Sequence, residues 1–248
     1  MIFSYIIPIL NSILINYKTW FLYILFSYII CDYQWITGIV CFLYSYFACY
    51  LGHRLMHTDI FYCNMYSLTH CHHHRSSDDI FAHTTNCLTE FLTLANNIVL
   101  KYIWEGFQLT SLFFIDKWMI LFLYFIYTTV HNINYGMLKV NDYHFYHHLN
   151  PGTNIGPDFY DLLFGTKNID TPNNENIDHY IPNILFGFAA VMLLKTCYNK
   201  YSGLQIYMQY GFCFLWILLT LIVCFSSVTE IGKEIQITLQ SDLQQFTK

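Results

Sequence analysis

Twice along this chain an apolar run of about membrane-crossing length stops at a cluster of histidines. Tyr33 to Gly52 is apolar almost throughout, and His53 and His57 follow at once; seven of the twelve histidines fall between His53 and Thr85. Leu109 to Val130 is the second run, with Asp116 and Lys117 early in it, and it stops at His131, ahead of His144, His147 and His148. Twenty helical residues cover about 30 Å, the thickness of the hydrocarbon core of a bilayer. The sequence therefore reads as an all-α chain whose spanning helices each deliver histidines to a membrane surface.

Composition agrees. Of 248 residues, 55% are hydrophobic and 11% charged, against about a quarter charged in a soluble domain. A net charge of −5 without a Lys/Arg cluster argues against a nucleic-acid partner. None of the nine cysteines pairs as CxxC, so they read as free thiols, mostly acting as small buried hydrophobes. The N-terminus is apolar from Ile2 without a basic stretch before it, which reads as a retained membrane segment.

Four stretches follow from the hydropathy pattern. Residues 1–32 form an N-terminal membrane unit, either two short segments or one long kinked helix. Residues 33–180 hold both histidine-rich regions. Residues 181–228 carry C-terminal membrane segments, of which Ile181 to Leu194 is short and Ile206 to Val228 is long enough to span. Residues 229–248 are a polar tail. Cys87 to Trp104 is apolar but broken by Glu90, Asn96, Asn97 and Lys101, which suits an interfacial or re-entrant segment.

The histidine spacing is helical. His53 and His57 stand at i, i+4; His70, His73 and His74 at i, i+3, i+4; His144, His147 and His148 repeat that HxxHH pattern. Each set shares a helix face. His72 lies off its face, and His83 and His179 fit no cluster, His179 reading as a solvated loop residue. With His131 these sets offer nine imidazoles, more than one tetrahedral ion uses, and imidazole suits Fe, Zn, Cu and Ni. A loose metal-buffering tract would explain HCHHH alone but not two HxxHH motifs and an HxxxH after apolar runs. Arg54 stands where a zinc protease would need the glutamate of HExxH.

At this point the chain resembles the fatty acid hydroxylase and sterol desaturase superfamily. His53-Arg54-x-x-His57 matches its first motif; Asn154-x-Gly156 and Asp161 to Thr166, DLLFGT, match the stretch after its last HxxHH. The resemblance covers Tyr33 to Lys167. It implies a multi-span transmembrane helical bundle under a cytosolic helical cap that carries a His-rich dimetal centre. His53, His57, His70, His73, His74, His131, His144, His147 and His148 carry over as metal ligands. It further implies two Fe ions (zinc in recombinant material), dioxygen as co-substrate, a lipid substrate, and electrons from a donor such as cytochrome b5 and its reductase at the endoplasmic reticulum membrane. One departure stands out. Where many members have His-Pro-x-Glu, this chain has Cys87, Leu88, Thr89 and Glu90, and whether His83 or Asn86 compensates is open.

The expected activity is an iron-dependent lipid hydroxylase or desaturase (fatty acyl, sterol or ether lipid), since an unactivated C–H bond needs an oxidant that no side chain supplies. Carboxylates are expected behind the ligands to orient their ring N–H groups, with Asp78, Asp79, Asp142, Asp158 and Asp161 as candidates. The rival is a histidine-rich metal transporter or metal-binding membrane protein without oxidase activity. Transporters place ionisable ligands within their spans, whereas these histidines follow the spans. Arg54, Arg75, Lys139 and Lys167 flank the clusters, which would put them in the cytosol.

Overall fold

The computed structural model describes residues 2–57, 80–107, 111–156, 158–168, 170–171 and 175–201, with 203, 207, 210–211, 213–218 and 220–221. Of residues 2–5, 80–85 and 158 it describes the backbone alone. Every regular element among them is helical. The order is α1 (Ile2–Ile15), α2 (Tyr17–Ile30), α3 (Trp35–Met56), α4 (Ile80–Gly106), α5 (Lys117–Thr129), a π-helical stretch (Val130–Met137), α6 (Tyr143–Leu149), α7 (Asp158–Phe164), a 3-10 turn (Asp178–Tyr180) and α8 (Ile181–Lys200).

Helix α3 and the unit Asp178–Lys200 are long and apolar enough to cross a bilayer, and α1 with α2 would add a third crossing if that bent pair is one span. This is a membrane protein. The N-terminal unit is two helices meeting at 80°. The cause is Asn16, whose buried side chain donates to the Ser12 and Glu175 carbonyls at 2.9 and 2.7 Å and accepts from the Ile177 amide at 2.8 Å. Those bonds hold the bend against a loop about 160 residues away.

Three apolar readings change. The short run Ile181 to Leu194 continues as α8 to Lys200, because the Lys195 ammonium is buried and donates to the Ile30 carbonyl at 2.6 Å and Asp32 at 2.7 Å. The run Leu109 to Val130 starts its helix only at Lys117, because Asp116 caps it by accepting from the Trp118 and Met119 amides, both at 2.9 Å. The interrupted stretch Cys87 to Trp104 lies inside one helix of 27 residues. Its polar side chains are partnered within the bundle: Asn97 accepts from the Tyr44 hydroxyl and Lys101 donates to the Ile115 carbonyl. Cys31, Cys41 and Cys49 are buried free thiols as expected, whereas Cys197 and Cys213 are exposed.

In lipid, helices gain little by hiding apolar surface from one another, so shape and polar contacts hold them together. Here the shape is aromatic. Tyr23 stacks on Phe42 at 5.1 Å and Phe26 on Phe188 at 4.0 Å, with Phe122 edge-on to both Tyr23 and Phe26. Helices α2 and α3 touch backbone to backbone at Gly38, where a Cβ would stand 2.9 Å from the Ser27 carbonyl oxygen.

The chain direction follows from the end contacts. Lys195 meets Asp32, Lys101 meets Ile115, and Lys117 lies over Tyr198 at 3.9 Å. These mark one end. At the other, Thr19 meets Ile177, Glu90 meets His131, and His53 meets His147. Thus α3 and α5 run toward the histidine end and α2, α4 and α8 away from it. The chain leaves the described residues at His57 and re-enters them at Ile80, both at the histidine end. The cations flanking the clusters are matched at the far end: Lys18, Arg54, Lys139 and Lys167 lie at one, Lys101, Lys117, Lys195 and Lys200 at the other. The charge bias expected from the flanking residues is therefore not a property of the described bundle.

Candidate metal centre

The six described histidines of the expected set meet in two groups of three. His53, His57 and His147 form one, and His131, His144 and His148 the other; within each group the ligand nitrogens lie within 4.8 Å of one another. Helix α6 serves both. His144 and His148, one turn apart, face His131, while His147 turns toward the end of α3. His70, His73 and His74, and with them His72, lie outside the described residues.

In the first group the His147 Nε2 is 3.0 Å from His53 Nε2 and 3.3 Å from His57 Nε2. In the second, His144 Nε2 is 2.8 Å from His131 Nε2 and 2.7 Å from His148 Nε2. Nitrogens bound to one ion at about 2.0–2.1 Å stand about 2.9 Å apart at a right angle and about 3.3 Å at a tetrahedral one. The observed separations bracket those values.

The tautomers point the same way. The Nδ1 of His147 lies 2.8 Å from the Thr153 carbonyl, which can only accept, so that nitrogen carries the proton and Nε2 a lone pair. The Nδ1 of His131 lies 2.6 Å from Glu90 Oε1, so that nitrogen too carries a proton and Nε2 is the one aimed at the group. His53 Nδ1 meets the Tyr127 hydroxyl at 2.7 Å, a contact that orients the ring and is compatible with either tautomer. In the first group burial pushes two imidazoles toward their neutral, metal-binding form, His57 down to about 4 and His147 down to about 3. Imidazole nitrogens converging in threes, each triplet with at least one buried ring, are a donor set that a divalent cation fits.

The residues behind the ligands differ from those expected. Glu90 is 3% exposed, and its Oε1 accepts from His131 and from Asn86 Nδ2 at 2.7 Å. Its other oxygen, also buried, has no hydrogen-bond partner among the described residues. Asn86 thus braces the carboxylate that orients His131; the side chain of His83 is not among those described. Asp161 instead closes a loop, accepting from the Ile155 and Gly156 amides at 3.0 and 2.7 Å and from the Thr166 hydroxyl at 2.6 Å. Asp142 precedes α6 without capping it by its side chain. Asp78 and Asp79 lie outside the described residues, as does the Asp158 side chain.

The loop that Asp161 closes explains the Asn-x-Gly and DLLFGT stretch. Asn154 and Gly156 take positive φ of 47° and 64°. Asn154 Oδ1 accepts from the Asn168 amide, and Asn168 Nδ2 donates to the Thr153 hydroxyl. The motif thereby fixes the Thr153 carbonyl that orients His147. Glu90, Tyr127 and Thr153 thus take the orienting role that the sequence assigns to aspartates. The one available signal was Glu90 itself, a carboxylate in an apolar run, where it is costly unless it has work to do.

His131 sits in the π-helical stretch, whose wider turn shows in the bond from the Leu138 amide to the Ile133 carbonyl five residues back (2.8 Å). Such stretches are often found at functional sites. His179, expected in solvent, is half-buried between Tyr135 and Tyr180, and its Nε2 has no partner among the described residues.

Both groups open on one cavity of about 80 Å³. Its histidine edge is His53, His131 and His144; its walls include Leu123, Ile126, Val130 and Ile155. A group of tyrosines with Glu175 forms another side.

A family model described as fatty acid hydroxylase matches residues 38–166, a stretch that includes all six of these histidines. No curated protein and no solved structure matches the chain.

Proposed function

The chain belongs to the fatty acid hydroxylase family, and from that premise we propose that it is a membrane-bound, non-haem di-iron oxidoreductase that hydroxylates or desaturates a lipid with dioxygen. One observation carries the reading: two triplets of convergent, buried or half-buried imidazoles share α6 and border one cavity.

His53, His57 and His147 would hold one iron, and His131, His144 and His148 the other, with His70, His73 and His74 completing the set. Bound there, iron supplies the dioxygen chemistry that no side chain has. The chain's own residues do the rest. Glu90, Tyr127 and the Thr153 carbonyl fix ring orientation. The ring protons of His131 and His147 stay on Nδ1, so that Nε2 binds. Glu90 also places one negative charge beside an otherwise all-imidazole centre. Leu123, Ile126, Val130 and Ile155 keep bulk water from the reacting carbon and accept a hydrocarbon in its place. The balance is one dioxygen, an electron pair and two protons per lipid, giving an alcohol and water, or an alkene and two waters.

We place the histidine end in the cytosol, at the endoplasmic reticulum membrane, where a donor such as cytochrome b5 with its reductase would deliver the electrons. The test is lipid profiling of cells expressing the chain, its His147→Ala variant, or neither, at matched protein levels. A lipid gaining one oxygen or losing two hydrogens only with the intact chain is the expected result. Identical profiles in all three, with iron bound and donor present, would overturn the reading.

A further inference from the structure

Glu175 is a carboxylate at 5% exposure on the wall of the cavity that the histidines border. Its Oε1 accepts from the Tyr135 hydroxyl at 3.0 Å and from Asn141 Nδ2 at 2.5 Å. The Tyr180 hydroxyl lies 2.6 Å from that of Tyr135. A phenol has one hydrogen to give. That of Tyr135 goes to Glu175, so Tyr180 must donate to Tyr135. Every hydrogen in the chain Tyr180–Tyr135–Glu175 then runs toward the carboxylate. Tyr135 and Tyr180, like Glu175, line the cavity, and what this edge can offer a ligand is oxygen lone pairs. The ring of Tyr135 also lies parallel to that of His144, 5.4 Å away, so this edge adjoins the second histidine group.

An edge rich in acceptors and carrying a negative charge discriminates by chemistry. A hydroxyl or an amine can donate into it. An ether or ester oxygen cannot, and a carboxylate meets like charge where water is scarce. We propose that the Glu175–Tyr135–Tyr180 edge is a headgroup subsite, and that the lipid taken up here bears a hydrogen-bond-donating headgroup, an alcohol or an amine, rather than a free carboxylate. The inference rests on reading this cavity as the lipid site.

The experiment is equilibrium binding to the full chain in detergent, loaded with zinc so that no turnover occurs. The probes are radiolabelled hexadecan-1-ol, hexadecylamine, hexadecyl methyl ether and palmitate. The alcohol and the amine should bind at least about tenfold more tightly than the ether, with palmitate weakest, because hydrogen bonds into a charged network are the strong ones. Tyr180→Phe keeps the ring and should bring the alcohol down toward the ether while leaving the ether unchanged. Glu175→Gln removes the charge and should raise palmitate binding; it decides the matter alone if Tyr180→Phe does not retain zinc. Ile126→Phe narrows the apolar wall and should weaken every probe. Equal affinity for alcohol and ether, with both still sensitive to Ile126→Phe, would overturn the headgroup subsite and leave the cavity as the lipid site. Binding that ignores Ile126→Phe altogether would overturn both.

Discussion

Glu90 Oε1 stands 2.6 Å from His131 Nδ1, both groups buried, on the side of the ring away from His144. The carboxylate fixes the ring's tautomer and orientation, and Asn86 holds the carboxylate. Losing an orienting partner of this kind costs about 10–100-fold in metal affinity. Glu90→Ala should therefore lose metal from the His131 group while the His53 group keeps its own; Glu90→Gln, which still accepts a hydrogen bond, should lose less. Elemental analysis after dialysis against graded chelator reads this directly. Full metal retention in Glu90→Ala would mean the contact is packing only.

The split of α6 between two groups makes a second prediction. His147 belongs with His53 and His57, and His148 with His131 and His144. His147→Ala and His148→Ala should each retain roughly one metal per chain, and the double variant close to none. Both single variants should insert normally, because insertion depends on the apolar helices, and both should abolish lipid oxidation. A single variant that loses all metal would show that the two groups bind as one cooperative unit.

Much of this was legible beforehand, for physical reasons. Helical spacing forces His144 and His148 onto one face, and the apolar runs force α3 and its histidines to one end. Spacing alone could not say that His147 would leave its neighbours for the α3 group. That depends on the Thr153 carbonyl, which the loop from Asn154 to Thr166 positions. Hydropathy marks a break at Asn16 but could not choose between two segments and a kinked helix, nor find the continuation of α8 past Lys195. The bend and the continuation each depend on a polar side chain partnered more than 150 residues away. Glu90 and Lys101 made α4 look interrupted because hydropathy counts a charge and ignores the partner that neutralises or hydrogen-bonds it.

Close packing at Gly38 predicts a stability effect remote from the histidines. An added Cβ would stand 2.9 Å from the Ser27 carbonyl oxygen and 3.1 Å from the Tyr28 amide nitrogen, both backbone atoms of α2. The helices must separate to admit it. Gly38→Ala should cost about 1–3 kcal/mol, the usual range for overpacking, and Gly38→Val more. Thermal unfolding in detergent measures it. An unchanged melting temperature would show that α2 and α3 slide freely, contrary to the aromatic interlock of Tyr23, Phe42 and Phe122.

The last prediction concerns acid. Burial holds His57 down to about 4 and His147 down to about 3 in the metal-free protein, whereas an unfolded histidine titrates near 6.5. Between those values the unfolded chain binds protons that the folded chain refuses, so stability rises with pH through that window. Read downward, the metal-free protein should be at full stability above about pH 6.5 and should lose it steadily as pH falls toward the folded values. A bound metal occupies the same lone pairs, so the loaded protein should hold its melting temperature to lower pH and then lose metal and stability together. The measurement is the melting temperature in detergent from about pH 7.5 to about pH 5, with and without zinc, for the wild type and for His147→Gln. The variant should show a shallower slope when metal-free. A flat wild-type curve without metal would mean that water reaches these imidazoles, and the case for a dry, preformed metal centre would fail with it.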